Sequence, residues 1–398
     1  MDDPAPGRTA PLHLLRLFFL LGCTSFGGPV AHIGYFREAF VARRKWFSEA
    51  AYADIVALAQ FLPGPASSQV GMAIGLARGG LLGMVAAWVG FTAPSALLMG
   101  LFAYGVVEYG DLMGGGWLVG LKAAAAAVVA QALIGMAKTL APDGPRAGIA
   151  VAGLAAVAGV SHYLGAPVWA QVGAILLGGV LGLILCRPGG ASDEGDGGLT
   201  IRVSRGGALT ALALFALLLA APPLLALGPA LDLADRFYRA GALVFGGGHV
   251  VLPLLEAEMV QGGLVARDAF LAGYGAAQAV PGPLFTFATY LGGAAEGWSG
   301  ALIATAAIFL PSMLLTYGAL PFWADLRRFP AMRRALTGVN AAVVGLLAAA
   351  FADPVLTSII DRPLAVPLAA VCFVAVAIWR APPWAVVIAA ALTGAALL

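Results

Sequence analysis

The chain has 398 residues, of which 61% are hydrophobic and 11% charged, with a formal net charge of +2. A soluble domain carries about 25% charged residues, and a nucleic-acid binder carries a marked basic excess, so composition excludes both. Apolar runs near the ~20 residues that span a bilayer, with no strand-like alternation, define an integral membrane protein built from helices. Cys23, Cys186 and Cys372 are scattered through apolar runs with no Cys-x-x-Cys, and the four histidines lie far apart in sequence. No metal centre and no cofactor is expected.

In chain order, a polar tail over residues 1–11 leads into an apolar run that ends in Phe26-Gly-Gly-Pro29. Ala31–Ser48 is amphipathic and basic, with Arg37, Arg43, Arg44 and Lys45. Two short apolar runs, Tyr52–Leu62 and Ser67–Leu76, flank Pro63-Gly64-Pro65. Proline removes a backbone donor and pushes the residue before it out of the helical region, so the helix is expected to break there. Full spans are predicted over Leu81–Tyr104 and Trp117–Lys138, then a hairpin pair around Gly165-Ala-Pro167. The stretch Arg187–Gly207 is polar and glycine-rich and reads as a linker. One extra span, Leu209–Leu227, carries Pro222-Pro223 near its end.

The pattern then repeats. Phe245-Gly-Gly-Gly248 matches Phe26-Gly-Gly-Pro29, the run ending in Pro281-Gly282-Pro283 matches the run ending in Pro63-Gly64-Pro65, and Pro311-Ser312 matches Pro94-Ser95. Phe26 and Phe245 are 219 residues apart, and Ala126 and Ala341 are 215 apart. Ordered matches at nearly one offset indicate an internal duplication. The equivalent loops differ in charge: one holds Glu108 and Asp111, the other Arg327, Arg328, Arg333 and Arg334. Short basic loops stay cytoplasmic, so the repeats are expected to be inverted. The expected fold is an all-α membrane protein of about 10–13 membrane segments. It divides into the tail 1–11, a first repeat 12–186, a linker with one extra span 187–230, and a second repeat 231–398.

These motifs, taken together with Gln60-Phe-Leu-Pro-Gly-Pro65-Ala-Ser and Gly71-Met-Ala-Ile-Gly75, resemble the chromate ion transporter family in its two-domain form. The resemblance covers the chain from about Leu12 to its end. It implies a multi-pass protein of the inner membrane that exports chromate and confers chromate resistance, with sulfate as a chemical look-alike. The second copy departs from the pattern, having Gly248 where the first has Pro29.

Chromate is a tetrahedral dianion, and burying it unpaired is prohibitive. A helix start offers unpartnered amides and about half a positive charge. The expected substrate contacts are therefore the two breaks and their restarts: Gln60, Pro63, Gly64, Pro65, Ser67 and Ser68 in the first half, and Gln278, Pro281, Gly282, Pro283 and Thr286 in the second. Ser67 and Ser68 cap a helix in the plainer reading. Arg78 follows the first restart and is the candidate cation, with a topological anchor as its plainer role. His32, Glu38, Asp54, His249 and Glu256 are candidates for proton coupling or gating, with interfacial or packed positions as the duller choice. Lys122 is expected to snorkel to the interface. No nucleophile–base pair or Walker sequence occurs, so an enzyme is not expected. A carrier of sulfate or another oxyanion, and a structural membrane scaffold, stay open beside the chromate carrier. The expected partners are chromate and the lipid bilayer, and a homodimer is an assembly open to it.

Overall fold

The computed structural model describes residues 9–109, 115–164, 167–187, 203–220, 228–326, 329–360, 362 and 364–397. The loop residues Asp111, Arg327 and Arg328, the stretch 188–202 of the linker, Pro222-Pro223, Gly165-Ala166 and tail residues 1–8 lie outside the described residues. All regular structure among the described residues is helical.

The first half contains α1 (Pro11–Thr24), α2 (Gly28–Arg37), α3 (Glu49–Phe61), α4 (Ala66–Tyr109), α5 (Gly116–Leu140), α6 (Gly144–Leu164) and α7 (Pro167–Leu185). After α8 (Arg205–Ala220) come α9 (Pro229–Ala242), α10 (Val251–Leu255), α11 (Arg267–Ala277), α12 (Phe287–Ala319), α13 (Trp323–Leu326), α14 (Pro330–Ala350), α15 (Thr357–Ile360), α16 (Ala365–Ala377) and α17 (Pro383–Leu397). Among the described residues α4, α5, α6, α12 and α14 are long and apolar enough to cross a membrane, and α1, α7, α8, α16 and α17 are shorter apolar helices.

Two of the long helices are not straight. Gly80 in α4 has φ +64° and ψ −158°, and Gly297 in α12 has φ +62° and ψ −152°. A Cβ on Gly75 would overlap the Gly83 carbonyl, and one on Gly292 would overlap the Gly300 carbonyl. Eight residues of straight helix rise about 12 Å, so backbones in contact at that spacing mean that the chain reverses. Each element is a hairpin, with a short first arm and a long second one. The first arm of α4, residues 66–79, reaches about 21 Å, less than the ~30 Å of a hydrocarbon core. Positive φ at the turn is a conformation that glycine adopts without steric cost.

The packing follows the duplication. α1 lies along α4 as α9 lies along α12, and the two hairpins α4 and α12 meet each other at the centre. Outside them the halves exchange partners: α5 packs on α16 and α17, while α14 packs on α6 and α7. These contacts use backbone closeness rather than bulk. A Cβ on Gly120 would overlap the Ala390 carbonyl, and one on Gly338 would overlap the Gly178 carbonyl. Small residues at such crossings let helices approach closely where hydrophobic contrast is weak.

Candidate functional site

The chain between α3 and α4 sets the first part of the site. Pro63 forces Leu62 to φ −81° and ψ 147°, and α3 ends at Phe61. Gly64 follows at φ +124°. Its amide donates to the carbonyl of Val244 at 2.7 Å, the residue just before the Phe-Gly-Gly run of the other half. A Cβ here would overlap Ser312 Oγ and lie 3.0 Å from Gln69 Nε2. Gln69 Nε2 donates to the Pro63 carbonyl at 2.7 Å and so ties the helix start back to the break.

Gln69 supplies the first α4 amide with a backbone partner, the Pro65 carbonyl at 3.0 Å. The amides of Ala66, Ser67 and Ser68 come before it and make up the unpaired positive end of the helix. The surroundings are polar and dry. Ser67 is 2% exposed and Ser68 3% exposed. Ser68 Oγ, Gln69 Oε1, Ser312 Oγ and Thr316 Oγ1 are all buried without a hydrogen-bond partner. Ser312 and Thr316 stand one turn apart on one face of α12. Buried polar atoms are normally paired, so a group of unpaired ones beside a helix start marks a place for a polar ligand.

The break between α11 and α12 mirrors the backbone of the first break, with different side chains. Gly282 has φ +97°, and its amide donates to the carbonyl of Ser25 at 2.9 Å, just before Phe26-Gly-Gly. A Cβ on it would stand 2.8 Å from Ser95 Oγ. Each break is thus fastened to the glycine-rich run and faced by the Pro-Ser helix of the opposite half. The restart here is apolar, beginning with a single 3₁₀ turn, Leu284–Thr286. Thr286 Oγ1 donates to the Pro283 carbonyl at 2.9 Å. Ser95 Oγ likewise donates to the Thr92 carbonyl at 3.0 Å.

The two breaks belong to one hydrogen-bonded chain. The Ser25 carbonyl that accepts from Gly282 also lies 3.1 Å from His32 Nε2, and His32 Nδ1 lies 3.3 Å from Ser67 Oγ. Beside the second break opens a cleft of about 570 Å³, lined by Gly27, Gly28, His249, Gln278, Gly282, Gln131 and Arg380 among others.

The other residues singled out in sequence are placed as follows. Gln278 Nε2 is buried and unpaired at the cleft, whereas its repeat partner Gln60 is exposed on α3. His249 Nδ1 lies 2.8 Å from the Tyr274 hydroxyl. Glu38 is exposed and pairs with Arg43 at 2.8 Å, and Asp54 is half-buried on α3. Glu256 is buried; its Oε2 accepts from Gln261 at 2.7 Å, and its Oε1 has no partner. Arg78 lies over the Trp46 ring at 4.6 Å, and its Nε donates to Thr9 Oγ1 at 3.3 Å. These contacts tie the first hairpin to the segment before α1 and to the loop before α3. Lys122 is 4% exposed and forms an ion pair with Asp268 at 3.0 Å, so it is buried rather than reaching to an interface. Sequence reasoning missed Ser312, Thr316, Gln69 and Arg380 as site residues. The repeated Pro-Ser dipeptide was the available signal for Ser312, read only as a marker of duplication.

Apolar helices, two fold-back hairpins and a buried group of unpaired polar atoms where the halves cross define a multi-pass membrane protein with an interior polar site. The chain belongs to the chromate transporter family, whose model matches residues 12–183 and 231–395. It is 29% identical over 377 residues to a "Chromate transport protein" of Cupriavidus metallidurans, covering 92% of this chain and 89% of that one. It is 30% identical over 360 residues to a "Chromate transport protein" of Pseudomonas aeruginosa, covering 85% and 80%. A "Probable chromate transport protein" of Synechococcus elongatus is 29% identical over 345 residues, covering 85% and 82%. No solved structure matches the chain.

Proposed function

We propose that the protein is a secondary transporter that carries chromate outward across the inner membrane, and that the dianion binds where the α4 start faces α12. The observation that carries this reading is the set of buried, unpaired hydroxyls of Ser68, Ser312 and Thr316 beside the free amides of Ala66, Ser67 and Ser68. Ser68 Oγ and Ser312 Oγ donate to the oxyanion, the amides add their partial charge, and Thr316 completes the polar wall. Pro63, Gly64 and Pro65 hold the helix start open toward the other half. On the second side Pro281, Gly282 and Pro283 do the same, and the Gln278 amide lines the approach through the cleft.

The repeats are read as inverted. Equivalent helices exchange partners across the centre, and the segments that follow the hairpins differ in charge, with Glu108 at the end of α4 and Arg333 and Arg334 near the start of α14. A binding site between two inverted hairpins can be reached from either side by rocking one half on the other. The inside-negative potential of a cell drives an anion outward, worth about 2.3 kcal/mol per charge per 100 mV.

The test is chromate uptake by everted vesicles carrying the wild-type chain or Ser68→Ala with Ser312→Ala. Uptake that saturates in the wild type, with a Michaelis constant at least tenfold higher in the double variant at equal expression, supports the site. Equal uptake by both removes it. Sulfate in the same assay reports on selectivity, because these donors read tetrahedral shape and charge, which the two dianions share.

A further inference from the structure

The proton positions around His32 can be worked out from its partners. The ring is 1% exposed and sits between α1, α2 and α4. Nε2 faces the Ser25 carbonyl, which can only accept, so Nε2 carries the proton. In the neutral imidazole Nδ1 is then bare and accepts, so the hydroxyl proton of Ser67 points at the ring. In that state Ser67 presents only lone pairs to anything else, and it repels an oxyanion beside the amides of the α4 start.

Protonation reverses this bond. The imidazolium has N–H donors at both nitrogens, so Nδ1 donates to Ser67 Oγ and the serine proton turns outward. The Ser25 bond is unchanged, and with it the link to Gly282. We propose that His32 couples proton binding to anion binding through the direction of the Ser67 hydroxyl: a proton taken up at His32 gives the site one more donor, and a bound dianion holds that proton in place. This rests on the anion site proposed above.

The surroundings leave the ring as the titrating group. From α4 it meets Ser67 and the Phe91 ring, whose centroid is 5.3 Å away, and from the end of α1 it meets Ser25. Tyr52 of α3 donates to the Ile33 carbonyl instead of the imidazole. Among the described residues its hydrogen-bond and ring partners include no acid or base, so the dianion would be the charge that the proton answers. The linkage is positive and reciprocal, unlike a competition in which the anion displaces the proton. The loaded site carries one net negative charge instead of two, which lowers the cost of burying it and still lets the membrane potential drive it outward.

His249 does not repeat the device. Its Nδ1 faces the Tyr274 hydroxyl, which stands near the end of α11 and not at a helix start. The switch is therefore confined to the first half.

The test is calorimetric titration of chromate into the detergent-purified full chain at about pH 8, where chromate is a dianion and an ordinary histidine is neutral. Buffers of different ionisation enthalpy count the protons taken up. The wild type is expected to take up protons with the anion, and its Kd is expected to rise by up to about tenfold per pH unit above neutrality. His32→Gln keeps a donor and an acceptor in the side chain; it is expected to bind more weakly, with no proton uptake and no pH slope. Should that variant fold poorly, Ser67→Ala serves, with an expected slope less than half that of the wild type. Chromate bound by the wild type without proton uptake overturns the coupling, as does full uptake by His32→Gln or an unchanged slope in Ser67→Ala. Absence of chromate binding by the wild type is a different failure: it overturns the anion site itself and the coupling with it.

Discussion

The two breaks share a backbone and differ in chemistry. At each, a glycine with positive φ gives its amide to the residue before the Phe-Gly-Gly run of the opposite half: Gly64 to Val244, Gly282 to Ser25. Each also faces the Pro-Ser helix of that half. After the first break come Ser67, Ser68 and Gln69, with the Ser68 hydroxyl a buried donor left unpaired. After the second come Leu284, Phe285 and Thr286, and the one hydroxyl is bonded within its own turn, so the unpaired donor on this side, Gln278 Nε2, stands before the break and not at the restart. The two halves therefore share a scaffold and differ in the side chains they place on it. A symmetric frame can position one asymmetric site, because the backbone fixes where donors stand and the side chains fix which donors exist.

The largest expected effect strikes the shared frame. Gly64→Ala forces a side chain into a φ of +124° and onto Ser312 Oγ, so transport should be lost and the melting temperature of the purified protein should fall. The backbone term alone is about 1–3 kcal/mol. Gly282→Ala meets a similar backbone term and a looser contact, with Ser95 Oγ at 2.8 Å, so its melting temperature should fall less. Equal or reversed losses would break the claim that the first break is the more tightly held.

Next come the side chains on which the halves differ. Ser68→Ala should weaken chromate affinity about tenfold, roughly 1.4 kcal/mol, without lowering stability, because its hydroxyl has no partner to lose. Thr286→Val should do the opposite: affinity within about twofold, and stability lower by about 1 kcal/mol for the lost bond to Pro283. Titration calorimetry and thermal unfolding on both variants read the two quantities separately. The facing helices sharpen the same contrast. Ser312→Ala should weaken chromate binding, whereas Ser95→Ala should not, since Ser95 already donates to Thr92. The smallest effect belongs to Arg78, a charge with Ala295 at the matching place in the second half. Arg78→Gln should lower stability by about 0.5–1 kcal/mol through loss of the contact with Trp46, and leave chromate affinity within about twofold.

The helical class and the division into two similar halves, the stretches 12–183 and 231–395 that the family model matches, were legible from composition and residue spacing. The partner exchange was not. Two copies of a motif are interchangeable on paper, and spacing cannot say whether Gly64 meets Pro94-Ser95 of its own half or Pro311-Ser312 of the other. Ser312 and Thr316 were hidden for that reason: their chemistry depends on which break they face. Arg78 was legible as a charge near the first restart, but the direction of its side chain was not, because Trp46 lies in a loop 32 residues upstream. Lys122 misled in the same way, as Asp268 enters from a helix of the other half.

The central claim is that the oxyanion binds at the first break and not equally at both. A structure of the chain with chromate, located by the anomalous signal of chromium, tests it most directly. The expected result is one strong peak whose oxygens lie within hydrogen-bond reach of Ser68 Oγ and the Ala66–Ser68 amides, inside ~3.5 Å. A peak at the Leu284–Thr286 turn alone, or equal peaks at both breaks, would contradict it.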